Sequence, residues 1–178
     1  NPLKLAEFAL SRKDPAYVGR AKDVKADEEI RRETGKLPEH VLKKVEKLNI
    51  AEEGTIYGSC VIANKPGDGS AREQAASCQR VLGGIANIAK EYATKRYRSN
   101  LINWGMLPFQ MEKPHFKVGD YVYIENIDKL IAEGAEKIPA KHIGHNDVKD
   151  VEFTVGQLTP DERSIILRGC LINFNAGR

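Results

Sequence analysis

A buried strand that runs directly into a glycine loop is the feature that most limits how this chain can fold. Residues 55–63, with the sequence TIYGSCVIA, are mostly apolar or small and predict a largely buried strand. Gly67 and Gly69 follow within a few residues, and a helix is predicted after them. That helix ends at Gly83 and Gly84, where a left-handed residue is easily accommodated. The order strand, loop, helix indicates helices packed on a sheet.

The rest of the chain continues to mix helices and strands. The apolar pattern predicts strands over residues 85–89, 116–124, 138–143, 151–155 and 165–167, a helix over 92–104, and a helix start at 159–162. This mixed order favours an α/β or α+β domain over a helix bundle.

The N-terminal part of the chain has a different character. Residues 27–48 are charged and helical in pattern, and the sequence GKLP at 35–38 divides this helix in two. Residues 1–26 carry two prolines, a glycine and charges of both signs, and we interpret them as an arm or linker.

Composition argues against two classes of partner. The formal net charge of the 178 residues is only +3, and the charges alternate in sign, so we do not expect nucleic-acid binding. No apolar run approaches the roughly 20 residues that span a bilayer, so we expect no membrane partner either. The chain starts without methionine, and we expect it to be a fragment of something longer.

The cysteines and histidines do not have the spacing of a metal site. Cys60, Cys78 and Cys170 are odd in number and widely separated, which fits neither a disulfide framework nor a zinc or cluster site. A reducing compartment is the simpler inference, so we predict a cytoplasmic protein. His142 and His145 could share a metal, but no third ligand lies at motif spacing, and we assign no metal to this chain.

The glycine loop carries the residues that point most clearly to chemistry. Its glycines let the backbone turn tightly, and the first free amides of the next helix point outward with partial positive charge. Arg72 adds a planar guanidinium that can hold a carboxylate at two points, and Ser70 is the one nearby group that could move a proton. The loop therefore predicts a carboxylate-binding site.

The same residues also fit a purely structural role. Ser70 and Glu73 have the spacing of a capping box, in which each side chain bonds the backbone amide of the other. A serine at an N-cap also sits where backbone amides could stabilise an alkoxide. The structural and the chemical interpretations are therefore compatible, and both stay open.

A series of motifs that begins at this loop resembles the C-terminal swivel domain of the aconitase family. The sequence GDGSAREQAA at 67–76 is similar to the family pattern G-E-G-S-S-R-E-H-A-A. The sequences LGG at 82–84 and GMLPF at 105–109 are similar to L-G-G and G-L-L-P-L, and VGD at 118–120 also fits. The resemblance runs from about residue 55 to the C-terminus.

For the fold, the resemblance implies an α/β swivelling domain, built as a mixed β-sheet or barrel with flanking helices. It divides the chain into a helical linker or extension at residues 1–54 and the swivel domain at residues 55–178. The charged helices of the first part could link the domain to a missing part of the protein.

For function, the resemblance implies a hydro-lyase acting on a tricarboxylic or hydroxy-dicarboxylic acid. The family's first motif serine is the general base that removes a proton beside a carboxylate, and its arginine binds a substrate carboxylate; by position these are Ser70 and Arg72. Ala71 replaces the second serine, so that hydroxyl is lost while the backbone amide stays available to substrate. An ordinary serine is too weak a base at neutral pH, so the site must stabilise its oxyanion strongly.

The resemblance also implies a cofactor and a partner. In that family a [4Fe-4S] cluster binds substrate oxygens and acts as a Lewis acid on the departing hydroxyl. Its three cysteine ligands are not recognisable here, so we expect the cluster to be ligated outside this chain, with none bound by this chain alone. The partner would be cluster-bearing N-terminal domains, or a large subunit as in isopropylmalate isomerase. The LGG spacing favours the first, an excised domain of a longer enzyme.

Together with Ala71, two further departures from the family pattern indicate a divergent hydratase rather than citrate-cycle aconitase. Gln74 stands where histidine is usual, and Lys65 and Pro66 stand where an aromatic residue often precedes the loop. The alternative function is a noncatalytic anion-binding module with a regulatory or structural role.

Overall fold

A computed structural model of the chain describes residues 15–46, 48, 50, 55–67 and 72–172, with the backbone alone for residues 15, 72–74 and 170–172. The described helices are α1 Pro15–Thr34, α2 Glu39–Val45, α3 Arg72–Val81, α4 Lys95–Asn103, α5 Ile127–Ala132 and α6 Pro160–Ile166, which continues as a π-helical segment, Leu167–Ile172. The described strands are β1 Ser59–Ala63, β2 Gly84–Ala89, β3 Leu107–Gln110, β4 Tyr121–Tyr123, β5 Lys137–Ile143 and β6 Val148–Thr154. None of these helices combines the length and the apolar character needed to cross a bilayer.

The six strands form one mixed sheet in the order β1-β2-β3-β6-β5-β4. The first three strands are parallel. Parallel neighbours need a crossover connection, which α3 and α4 provide. In the other half β5 is antiparallel to its neighbours β4 and β6, and β6 runs antiparallel to β3. The predicted α/β class, with a mixed sheet and flanking helices, is therefore confirmed.

The two halves of the sheet are held together mainly by side chains. Between β3 and β6 the backbone register contains one pair, Gln110 with Thr154. Next to it the rings of Phe109 and Phe153 stack with their centroids 5.0 Å apart, and both side chains are fully buried. The main core extends from these rings to residues of α5 and α6, including Ile131 and Ile166.

A second, smaller core cluster joins α3 and α4. Ala76 on α3 packs with Tyr97 and Leu101 on α4, and Met106 completes this cluster. The predicted end of α3 is confirmed, since Gly83 has a φ of +88°, which favours glycine.

The expectation of an arm over residues 1–26 is wrong for the part that the structure describes, because α1 begins at Pro15. Val18 and Ala21 of α1 are buried against Cys78 of α3 and against Leu82, which directly follows α3. Few apolar residues mark this helix, so its packing against the domain was not visible in the local pattern. The predicted break near residues 35–38 is confirmed, since α1 ends at Thr34 and α2 begins at Glu39.

Two elements of the C-terminal half differ from the prediction. The strand expected at 165–167 is wrong, because these residues continue α6 into the π-helical segment. The helix start at 159–162 is confirmed, and a helix begun by a strong cap continues through the apolar pair that followed it. The strand expected over 116–124 is reduced to β4, because the chain turns at Gly119, where φ is +91°.

Four more elements differ from the predicted boundaries or were not predicted. The strand expected over 55–63 as largely buried begins only at Ser59 and is half-buried, with Ile62 40% exposed. The helix expected over 92–104 starts later, at Lys95, because the Thr94 side chain caps it by accepting a hydrogen bond from the Tyr97 amide. Strand β3 and helix α5 had not been predicted, since each is short and its apolar residues become meaningful only against the rest of the core.

Candidate functional site

The carboxyl ends of three parallel strands meet at one edge of the sheet. Strand β1 leads into the glycine loop and α3, β2 leads through residues 90–94 into α4, and β3 ends at Gln110. Ligands of open α/β sheets bind at this edge, where the loops and the N-termini of the following helices collect. The glycine loop singled out in the sequence therefore has the position of a binding loop.

The predicted site residues lie at the border of what the structure describes. Ser70 and Ala71 fall outside the described residues, and of Arg72 only the backbone is described, as the first residue of α3. The capping box expected between Ser70 and Glu73 falls outside as well. The roles of these residues therefore stay predictions. The described residues around the loop show which contacts hold its first part in place.

The start of the loop is fitted closely against α4. Gly67 has a φ of +95°, a conformation that favours glycine. A Cβ placed on Gly67 would lie 2.5 Å from the Cβ and Cδ1 atoms of Tyr97, far inside van der Waals contact. Glycine is thus required at this position both by its backbone conformation and by the adjacent ring.

The loop that follows β2 ties down the beginning of the glycine loop. The amide of Ala93 donates to the Pro66 carbonyl at 2.9 Å, and the amide of Glu91 donates to the Asn64 carbonyl at 3.1 Å. Lys65 and Glu91 add an ion pair at 3.5 Å, but both side chains are more than half exposed, so this pair stabilises the loop little. The two backbone hydrogen bonds therefore anchor residues 64–66 to a neighbouring strand end.

A buried polar pair, Asn87 and Tyr97, lies next to this anchored segment and was not predicted from the sequence. Asn87 is 1% exposed in β2, and its Nδ2 donates to the Tyr97 hydroxyl at 3.0 Å. The Tyr92 hydroxyl donates to the Phe109 carbonyl at 2.8 Å. Burial raises the pKa of both phenols, so they stay neutral and keep their hydroxyl protons. The available signal was Asn87 itself, a single amide within the apolar run GIANIA.

A cavity of about 410 Å³ opens at the same edge of the sheet. Its described lining includes Lys90 but also the acidic residues Glu91, Glu112 and Glu152. With one cationic and three acidic side chains, this lining alone does not attract a carboxylate. Positive potential for an anionic ligand at this edge would have to come from the helix amides and Arg72 of the glycine loop.

The described cysteines do not fit an iron–sulfur cluster. Those with described side chains are two in number, Cys60 and Cys78, and burial raises the pKa of the Cys60 thiol to about 12 and also raises that of Cys78. Within the described residues, no group of three or more potential ligands could hold a metal ion. His142, which the sequence paired with His145, instead lies 2.7 Å from the carboxylate of Asp120.

Comparison with known proteins agrees with the resemblance noted from the motifs. Residues 55–114 match the family model described as the aconitase C-terminal domain. A stretch of 72 residues is 39% identical to mitochondrial aconitate hydratase from Gracilaria gracilis, covering 40% of this chain and 9% of that protein. The crystal structure of 3-isopropylmalate dehydratase from Methanocaldococcus jannaschii is 29% identical, covering 66% of this chain and 62% of that one, with a TM-score of 0.46.

The match to the family model confirms the family resemblance for the segment that contains the glycine loop. The segment 55–114 includes β1, the glycine loop, α3, β2, α4 and β3, which together build the candidate edge. The chain spans less than a tenth of the length of the curated relative that it matches.

Proposed function

We propose, from the match of residues 55–114 to the aconitase C-terminal domain, that this chain is the C-terminal domain of a hydro-lyase. The enzyme would act as a hydratase or dehydratase on a tricarboxylic or hydroxy-dicarboxylic acid. The position of the glycine loop supports this, because β1 delivers it to the carboxyl edge of the parallel strands and α3 starts directly after it.

In this proposal Arg72 and Ser70 act on neighbouring parts of the substrate. The guanidinium of Arg72 binds a substrate carboxylate through two parallel hydrogen bonds, with the amide of Ala71 available as a further donor. The Ser70 oxygen removes a proton from the carbon beside that carboxylate, and the electron pair of the broken C–H bond moves toward the carboxylate. Arg72 and the amides at the start of α3 stabilise the negative charge that results.

The proposal also requires a partner that this chain does not contain. The described cysteines do not fit a [4Fe-4S] cluster, so we propose that the cluster is ligated outside this chain, by N-terminal domains of the same protein or by a large subunit. We include a cytoplasmic location in the proposal, because free thiols such as those of Cys60 and Cys78 suit a reducing compartment.

The test is turnover of the complete enzyme with variants of the glycine loop. Ser70→Ala should lower kcat by about 10²- to 10⁴-fold, as expected for loss of a general base. Arg72→Ala should raise KM for a tricarboxylate, and Arg72→Lys should restore activity only in part, because lysine lacks the planar fork. Ser164→Ala, a serine of α6 remote from the loop in sequence, serves as the control.

The noncatalytic alternative predicts a different outcome in the same experiment. If Ser70→Ala left turnover unchanged while Arg72→Ala abolished tricarboxylate binding measured by calorimetry, the loop would retain an anion without catalysing a reaction.

A further inference from the structure

We propose that Tyr97, held by Asn87, is a positioning residue that sets the location of the glycine loop and hence of Ser70. This inference rests on the proposed function, in which Ser70 is the base. It concerns residues for which the sequence motifs assigned no role in the site.

The first observation is the contact between Tyr97 and the loop. The ring occupies the space that a side chain on Gly67 would need, since a Cβ there would lie 2.5 Å from the Cβ and Cδ1 atoms of Tyr97. Gly67 lies only three residues before Ser70. A displacement of the ring therefore has to be absorbed by the short segment that carries the proposed base.

The second observation is that the ring has little freedom to move. Tyr97 is 6% exposed, and its hydroxyl accepts a hydrogen bond from Asn87 at 3.0 Å. Its backbone amide donates to the Thr94 hydroxyl at the start of α4, at 3.1 Å. Asn87 lies in β2, between β1 and β3, where the backbone is held by neighbours on both sides. The ring is thus fixed at both of its ends.

The third observation is that the Asn87 side chain leaves a buried polar atom without a partner, which lowers the stability of the fold. Its Oδ1 is buried and has no hydrogen-bond partner in the part of the chain that the structure describes. An unpaired buried acceptor carries a desolvation cost that an apolar residue in the same strand would avoid. The value of Asn87 therefore lies in orienting the Tyr97 hydroxyl, as expected for a residue that supports a functional group.

Correct placement of the loop matters because a base acts only over a short range. A misplacement of about 1 Å, even by a change outside the reacting groups, can lower a rate on the order of 10²-fold. Substrate binding through Arg72 at the helix start should be less sensitive, because electrostatic attraction falls off gradually with distance. The expected signature of a displaced loop is thus a loss in kcat that exceeds the change in KM.

The test uses the complete enzyme with Tyr97→Leu and Tyr97→Phe. Tyr97→Leu removes the ring from Gly67 and should lower kcat on the order of 10²-fold with a small change in KM. Tyr97→Phe keeps the ring and loses only the bond to Asn87, so a smaller loss of roughly 2- to 10-fold in kcat is expected. Tyr92→Phe is the matched control, because it removes a half-buried hydroxyl that donates to the backbone carbonyls of Asn87 and Phe109 rather than to Tyr97.

A double-mutant cycle tests the contact itself. Gly67→Ala alone should lower kcat strongly, but in the Tyr97→Ala background its additional effect should be smaller, since the ring that it would meet is gone. Fold-losses that simply multiply, or a Tyr97→Leu variant with wild-type kcat, would overturn the inference.

Hydrogen exchange provides a readout that does not depend on activity. The amides of residues 64–71 should exchange faster in Tyr97→Leu than in the wild type and should be unchanged in Tyr92→Phe. Unchanged loop exchange in Tyr97→Leu would also contradict the inference. Failure of the proposed function is distinct, since it would appear as unaltered turnover in Ser70→Ala whatever the Tyr97 variants do.

Discussion

The Nε2 atom of His142 lies 2.7 Å from the Oδ2 atom of Asp120, and their side chains are only 14% and 6% exposed. The same carboxylate oxygen accepts a hydrogen bond from the backbone amide of Lys117 at 2.9 Å. Asp120 therefore closes the turn that precedes β4 and links it to His142 on the neighbouring strand β5. The Phe116 ring lies against the imidazole, with centroids 4.2 Å apart.

This arrangement predicts a loss of stability in acid. Burial tends to raise the pKa of the Asp120 carboxyl, but hydrogen bonds from Lys117 and His142 outweigh it, so the pKa is lower than in the unfolded chain. The stabilisation is therefore present above the unfolded pKa of about 3.9 and is lost as the pH falls through the lower folded value.

Asp120→Asn is the variant that isolates this contribution. The free energy of unfolding, measured by urea titration from pH 7 to pH 3, should be lower for the variant at neutral pH, and the difference from wild type should shrink toward acid. A difference that stays constant across this range would contradict the prediction. Asp161→Asn, an exposed acid in the first turn of α6, is the control.

Because Phe109 and Phe153 stack where the two halves of the sheet meet, removing the Phe153 ring should strongly destabilise the fold. Phe153→Ala should lower the free energy of unfolding by about 3–5 kcal/mol, because it removes a fully buried ring and leaves a cavity. Val118→Ala, at a side chain that is 68% exposed, should change it by less than about 0.5 kcal/mol. Urea denaturation measures both, and similar values for the two variants would refute the prediction.

Helix α1 contacts the segment that precedes β1, and this contact predicts that α1 contributes to the stability of the domain. Glu28 and Arg31 form a buried ion pair at 2.7 Å, and Glu28 also accepts a hydrogen bond from the Tyr57 amide at 3.0 Å. Glu28→Ala should lower the free energy of unfolding by about 3–5 kcal/mol, because it leaves the Arg31 charge buried without a partner.

The adjacent Glu29→Ala is the matched control, since Glu29 is exposed on the same helix and should change stability little. Chemical denaturation followed by circular dichroism distinguishes the two. If Glu28→Ala were as stable as Glu29→Ala, α1 would be a dispensable extension, in line with the domain boundary at residue 54 that the sequence analysis predicts.

The capping box of α6 allows a prediction for a single hydroxyl. The Thr159 hydroxyl accepts from the Glu162 amide at 3.1 Å, and the Glu162 carboxylate accepts from the Thr159 amide at 2.9 Å. Thr159→Ala should cost about 1 kcal/mol, whereas Thr159→Ser retains the acceptor and should cost only a few tenths. Thermal unfolding would report the difference as a lower Tm for the alanine variant, and equal Tm values would contradict the role of the cap.

Some residues of the candidate site could be predicted from local sequence, whereas others are brought together only by tertiary contacts. The glycine loop and the helix start after it were predictable, because both are local properties of the chain, while the roles of Ser70 and Arg72 stay predictions. Asn87 and Tyr97 were not, because nothing within a few residues of either one indicates that they meet beneath the loop. Such support depends on a strand and a helix being brought together.

For the fold, the sequence by itself determined the elements whose cause is local. The apolar run of β1, the glycine that ends α3 and the capping residues of α6 act within one or two turns of chain, and each was predicted. Tertiary structure alone decided that β3 lies beside β6, that α1 packs on α3, and that residues 165–167 extend a helix instead of forming a strand. The physical reason is that short apolar segments are compatible with helix or strand, and burial against distant residues determines which one forms.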